Sequence, residues 1–181
     1  MRIIAGLAKG HSLKVPRDVA RPTTDRVRES LFGLLSAVLE GVRVLDLYAG
    51  SGGLGLEALS RGAESCTFVD QHRGASKIIQ ENLLKTGLPN GKVVTGDVEA
   101  FLKREQGSYD LIFADPPYPD GISDLAGDLV ALEGWRHWLS GDGYLIVERE
   151  SIGEIPRANG LELVRQRDYG RSWILIYRKV S

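Results

Sequence analysis

The sequence predicts a doubly wound α/β domain with a mainly parallel sheet, and three observations carry that expectation. Runs with strand character alternate with helical stretches from Val42 onward. A glycine-rich turn, Gly50-Ser51-Gly52-Gly53-Leu54-Gly55, joins the first of these strands to the first of these helices. The last two apolar runs are separated only by Asp168-Tyr169-Gly170-Arg171, which is too short for a helical crossover, so they are expected to form an antiparallel hairpin.

The elements follow in chain order. Residues 1–4 and 12–15 are short alternating runs around Gly6 and Gly10, and are expected to pair as a small basic hairpin. A helix follows, with Thr24 or Asp25 as its cap and Val27, Leu31, Leu34, Leu35 and Val38 at helical spacing into Leu39. Arg26 and Arg28 are expected to project from its first turns. Arginines there oppose the helix dipole, which points to an anionic partner. The spacing then predicts strands over 43–48, 65–69, 92–95, 109–114 and 143–148, with helices over 54–61, 73–86 and 99–104 between them. The closing hairpin is expected over 161–167 and 172–178. Trp135, Trp138 and Trp173 lie in apolar runs and are read as packing residues.

A length of 181 residues with 43% hydrophobic content fits one domain with a substantial core. The single cysteine, Cys66, excludes a disulfide framework and a thiolate metal cluster, and its apolar surroundings assign it to packing. His11, His72 and His137 are scattered without ligand spacing, and no long apolar segment opens the chain, so a soluble, cytoplasmic, metal-free protein with no membrane association is expected. A monomer is expected because no amphipathic stretch is left unassigned. Net charge is −1, but residues 1–28 hold seven Lys/Arg against two acids. A basic end is thus joined to an acidic remainder.

Gly50, Gly52 and Gly55 satisfy the G-x-G-x-x-G pattern between strand and helix, and Asp70 ends the next strand twenty residues after Gly50. Glycines there permit close backbone approach, and the acid accepts both ribose hydroxyls of a nucleotide. NAD and S-adenosylmethionine both fit that far. Asp46 separates them: a further carboxylate beside the loop repels a pyrophosphate but suits a cationic sulfonium and ammonium. Tyr48 in the loop and Gln71 after the acid join the candidate cofactor contacts. Asp97 is placed to accept from an adenine amino group and Val98 to offer its backbone N–H, although Asp97 also suits a helix cap.

The apolar run 109–114 ends at Asp115-Pro116-Pro117-Tyr118, where proline stops the sheet. A strand end is where open α/β sheets place chemistry. A carboxylate and a proline-turn carbonyl can both accept hydrogen bonds from an exocyclic NH2 group, while Tyr118 stacks on the ring that carries it.

These residues resemble the RsmD-type 16S ribosomal RNA guanine-N2 methyltransferases, within the Rossmann-like S-adenosylmethionine-dependent class. The resemblance covers nearly the whole chain. It rests on residues 1–6, on Arg21-Pro-Thr-Thr-Asp-Arg-Val-Arg-Glu-Ser30, on Leu45-Asp-Leu-Tyr-Ala-Gly-Ser-Gly52, on Asp115-Pro-Pro-Tyr118 and on the Tyr169-Gly170 turn. Asp-Pro-Pro-Tyr is common to many amino-methyltransferases, whereas the arginine-rich segment looks specific to this family. Tyr48 stands where the family usually has Phe and Gly53 where Ala is frequent.

The resemblance implies S-adenosylmethionine as cofactor, methyl transfer to a guanine N2 in 16S rRNA or the small ribosomal subunit, and Asp115, Pro116, Pro117 and Tyr118 as the catalytic group. It also implies an RNA-binding extension over 1–28, with Arg2, Lys9, Arg21, Thr23, Arg26 and Arg28 as contacts and Arg171 as a further cation, ahead of a methyltransferase domain over 29–181. Two alternatives stand beside it: methylation of adenine N6 in another nucleic acid, and a non-catalytic RNA-binding assembly module.

Overall fold

The central strands of one mixed seven-stranded sheet are buried on both faces, and successive side chains point to opposite faces, so each face meets its own set of helices. The computed structural model describes residues 1–16, 24–117 and 124–180. The strands are β1 (Arg43–Leu47), β2 (Ser65–Asp70), β3 (Gly91–Thr95), β4 (Tyr109–Ala114), β5 (Leu139–Glu150), β6 (Leu161–Asp168) and β7 (Ser172–Lys179), in the spatial order β3-β2-β1-β4-β5-β7-β6. β1 to β5 run parallel. β7 is antiparallel to β5, and β6 to β7, as the short connection between the last two requires. The order reverses between β1 and β4, which opens a crevice at their carboxyl ends.

Helices α1 (Asp25–Leu35), α2 (Gly53–Ser60) and α3 (Arg73–Thr86) cover one face, where Leu31, Phe32, Leu56 and Ile79 pack with Val44, Phe68, Phe113 and Ile146. Helices α4 (Val98–Leu102), α5 (Leu125–Val130) and α6 (Trp135–Trp138) cover the other, against Leu45, Leu47, Ile112 and Val147. Phe32 has no exposed surface and its ring lies 5.7 Å from that of Phe113, a burial that contributes about 1.5–3 kcal/mol. This pair seats α1 over the centre of the sheet.

α1 begins at Asp25 because Thr24 is extended and its hydroxyl accepts from the Val27 N–H. It ends at Leu35, short of the Leu39 expected from spacing, and a 3₁₀ turn, Ser36–Val38, follows. There the Ser36 hydroxyl donates to the Gly33 carbonyl, a local bond that competes with the helix ladder. The expected amino-terminal pairing is a single antiparallel bridge, Arg2 to Ser12, flanked by Ile3 N–H to His11 O and Leu13 N–H to Met1 O. Gly6 adopts a positive φ of 83°, and any side chain there would collide with the Ser60 carbonyl. The segment is thereby pressed onto α2, and Ile3, Ala8 and Leu13 join the α1-side core.

α5 and α6 were not expected, since six and four residues carry too little periodicity to register. Trp135 and Trp138 are buried and meet edge to face at 5.2 Å, their indole N–H groups donating to Val130 O and Leu102 O. They are packing residues. β5 starts at Leu139, four residues before the expected strand, directly after α6. Among the described residues no helix is long and apolar enough to cross a membrane.

Candidate active site

The crevice floor is the turn from β1 to α2. Tyr48 has φ 57°, rare for a side chain with a Cβ and a sign that the loop holds it there. Gly50 and Gly52 also lie at positive φ, 56° and 78°. Gly52 caps α2 without a side-chain bond, so the first turn of the helix is held by other means. Gly55 has a different task. A Cβ there would fall 2.5 Å from the Cys66 Sγ and closer still to the Phe68 ring, so glycine is what lets α2 lie on β2.

Two carboxylates fix this loop from below. Asp46 is 2% exposed, and its Oδ2 accepts from the Gly55 N–H at 2.9 Å. Burial pushes its carboxyl up to about 7, against the Gly55 hydrogen bond, with the Asp70 charge adding to the rise. Asp70, at the end of β2, accepts from Gly50 N–H and from His72 N–H, both at 2.8 Å. Each of its oxygens retains a lone pair for a ligand hydroxyl. Gln71 is exposed beside it, its side-chain nitrogen 3.5 Å from His72 Nε2.

Asp97 and Val98 close β3. Asp97 is exposed and caps α4, its Oδ1 accepting from Ala100 N–H at 2.8 Å, while Val98 is buried. The Tyr48 phenol is pushed up to about 12, first by burial and then by the charges of Asp97, Glu99 and Asp128. Asp70 and Asp97 therefore bring negative charge to the glycine turn, and the charges of Glu99 and Asp128 are felt at Tyr48, which favours a cationic ligand over an anionic one.

Leu47 pairs with Ala114, so the Asp115-Pro116-Pro117 turn leaves the sheet directly beside Tyr48. Asp115 is half-buried, Pro116 buried and Pro117 exposed. Tyr118 lies outside the described residues. Asp124, the N-cap of α5, has its Oδ2 2.9 Å from Arg149 Nη2 at the end of β5. Arg149 also donates to the Ile152 and Glu154 carbonyls, pinning this side of the crevice.

The basic segment divides. Arg2, Lys9 and Arg26 are exposed and line a cavity of about 350 Å³ between the amino-terminal bridge and α1, with Asp25 and Glu29 on its wall. Met1 packs against Gly53, so this cavity lies beside the glycine turn. Arg21 and Thr23 lie outside the described residues. Arg28 is corrected: it has no exposed surface and is not a phosphate contact. Its guanidinium donates to Arg2 O at 2.6 Å and Asp25 Oδ1 at 2.8 Å, and lies 3.7 Å from Glu57 Oε2. Arg28 turns inward because it precedes Leu31 by three residues and Phe32 by four, on the apolar stripe of α1. Arg171, in the β6–β7 turn, is exposed on the α1 side, where the Tyr169 hydroxyl meets Ser30 Oγ at 2.7 Å.

Glu57 is the residue that sequence reasoning missed. It is fully buried in α2 and accepts from the Ile4 and Ala5 N–H groups, so it ties the basic segment to the helix that begins at the glycine turn. The available signal was a lone acid inside the apolar run Leu54-Gly-Leu-Glu-Ala-Leu59.

The family described as Conserved hypothetical protein 95 matches residues 1–178. The chain is 41% identical to YlbH of Bacillus subtilis (strain 168), covering 99% of each chain. It is 38% identical to ribosomal RNA small subunit methyltransferase D of Escherichia coli (strain K12), covering 86% of this chain and 78% of that one. Among solved structures, yhhF from Escherichia coli superposes with a TM-score of 0.87 at 36% identity, covering 99% of this chain and 97% of that one.

Proposed function

We propose, from the premise that this chain belongs to the RsmD family, that it transfers a methyl group from S-adenosylmethionine to the exocyclic N2 of a guanine in the 16S RNA of the small ribosomal subunit. The observation that carries this reading is the register Leu47 to Ala114, which sets Asp115-Pro116 against the glycine turn. A cofactor seat and an acceptor for an amino group thus share one strand boundary.

The residues present fit the cofactor. Gly50 and Gly52 leave room for close approach, Asp70 offers acceptors for ribose hydroxyls, Asp97 for the adenine amino group, Val98 its backbone N–H, and Tyr48 and Gln71 the flanking surface. The buried Asp46 carboxylate, held near neutrality by its surroundings, gains from a positive charge nearby. The bound cofactor supplies an electrophilic methyl group on a sulfonium.

The guanine amino nitrogen is a weak nucleophile because its lone pair is delocalised into the ring. Hydrogen bonds from this NH2 group to the Asp115 carboxylate and the Pro116 carbonyl favour a pyramidal nitrogen and aim the lone pair at the methyl carbon. Asp115 is needed for position more than for basicity, and takes the departing proton only late or passes it to water. Tyr118 stacks on the base, which must be unpaired or flipped to enter. Arg2, Lys9 and Arg26, around their common cavity, take backbone phosphates together with Arg21, Thr23 and Arg171.

The test is transfer of labelled methyl from S-adenosylmethionine to small subunits lacking the modification, beside free 16S RNA and duplex DNA of matched length. Label in the ribosomal substrates and none in DNA is expected. Label in DNA alone sinks the reading, as does none in any substrate when cofactor binding is measurable.

A further inference from the structure

We infer that Glu148 is the residue that selects guanine: its carboxylate accepts the N1–H of the target base while Asp115 holds the neighbouring N2 amino group. This rests on the reading of the function given above.

The placement comes from strand register. β4 and β5 pair in parallel as Ile112 to Leu145, Phe113 to Ile146 and Ala114 to Val147, so the next residues in step are Asp115 and Glu148. Paired strands lie about 5 Å apart. Phe113 and Ile146 both enter the core on the α1 face, and side chains alternate, so Glu148, two residues further along β5, addresses that side, with Asp115 the first residue past the end of β4 beside it. That side holds α1, Met1 and the cavity lined by Arg2, Lys9 and Arg26. The two carboxylates thus sit next to each other at the carboxyl edge, facing the proposed route of the RNA.

Glu148 is also held firmly. β4 stops at the prolines, but β5 continues to Glu150, and Glu148 is paired with Ile174 of β7. The next residue, Arg149, is buried facing the other way and anchored to the Ile152 and Glu154 carbonyls. Glu148 itself is half-buried, neither sealed in the core nor fully solvated. Both acids have partners within the protein. A carboxylate offers about four acceptor sites, which leaves capacity for a base as well.

The chemistry matches one base edge. Guanine presents N1–H and N2–H donors side by side, which two adjacent carboxylates complement. Adenine and 2-aminopurine carry an acceptor at N1, which a carboxylate repels. 2-Aminopurine still has the N2 amino group, so it isolates the contribution of N1.

The experiment uses small subunits reconstituted with guanine or 2-aminopurine at the target position, and compares kcat/KM for the two. The wild-type protein is expected to prefer guanine by roughly 10³-fold or more, as sites that bond a donor reject analogues lacking it. Glu148→Gln, whose amide can donate to the N1 of 2-aminopurine, is expected to reduce that ratio at least about 100-fold, chiefly by losing activity on guanine. Unchanged cofactor affinity in calorimetry and an unchanged melting temperature establish that the variant is folded. If the glutamine variant is unstable, Glu148→Ala serves instead, and the same fall in the ratio is expected. An unchanged ratio overturns the assignment, whether the rates hold or both fall equally. A wild-type protein that methylates neither base would instead sink the proposed function itself.

Discussion

Arg28 and Glu57 face each other at 3.7 Å with neither side chain exposed. Two charges this far from water carry a large desolvation penalty, which only full hydrogen bonding offsets. The surroundings supply most of it. Arg28 has the Arg2 carbonyl and Asp25, and Glu57 has the Ile4 and Ala5 N–H groups and Arg61 Nε at 2.7 Å, although Arg28 Nε has no hydrogen-bond partner among the described residues. The pair joins α1, α2 and the amino-terminal segment at one point, so breaking it should be felt in all three.

Arg28→Ala is therefore expected to cost about 3 kcal/mol, because Glu57 keeps only Arg61 as counter-charge and the buried Arg2 carbonyl loses its donor. Chemical denaturation measures this. A loss below about 1 kcal/mol would contradict the role given to the pair.

The raised pKa of Asp46 makes a prediction about pH. In the folded protein its carboxyl titrates at about 7, whereas in the unfolded chain it ionises in the usual carboxylate range. Between about pH 4 and 7 the folded state holds the extra proton, so this group's contribution to stability falls as pH rises through that window and is level above it. Asp46→Asn lacks the titration but keeps an acceptor for Gly55 N–H. The stability of wild type relative to this variant should decline with pH from 4 to 7 at a slope of at most about 1.4 kcal/mol per unit. A difference that stays flat over that range would mean the carboxyl is not buried as described.

Asp115→Ala is expected to remove methyl transfer, by about 10³-fold or more, while the cofactor dissociation constant stays within about threefold. Calorimetry beside a single-turnover assay separates the two effects. Equal loss of binding and transfer would place Asp115 in the cofactor seat and not against the base.

Lys9 and Arg26 line the cavity beside the glycine turn and are exposed. Reversing both charges should weaken RNA binding and flatten its dependence on salt by about 0.7 per lost phosphate contact, with cofactor affinity spared. A salt slope equal to that of wild type would remove these residues from the interface. Arg28 is excluded from this experiment because its reversal would act through folding.

Much of the architecture was legible in the sequence because its signals are local. Strand β4 and helix α3 are bounded by a proline turn at 116–117 and by a left-handed Gly87, and both span the residues that spacing predicts. The G-x-G-x-x-G turn was equally plain, although the close contact of Gly55 with β2 emerges only from the packing of α2. What escaped depended on contacts between distant segments. The reversal of Arg28 toward Glu57 joins residues 29 apart, and its cue, membership of the Leu31–Phe32 stripe, is outweighed in sequence by the neighbouring cations. Asp46 was expected to face the loop, and its carboxylate is tucked beneath it onto Gly55 N–H, which only the packing of α2 on β2 reveals. The register that sets Ala114 beside Val147 joins strands separated by α5 and α6, and no local pattern encodes it.

The most direct measurement is identification of the methylated nucleoside. Small subunits lacking the modification are incubated with the protein and labelled S-adenosylmethionine, the RNA is digested to nucleosides, and the labelled product is resolved by chromatography and mass. N2-methylguanosine as the labelled product is the predicted result. A label on adenosine, or on a guanosine atom other than N2, would contradict the central claim.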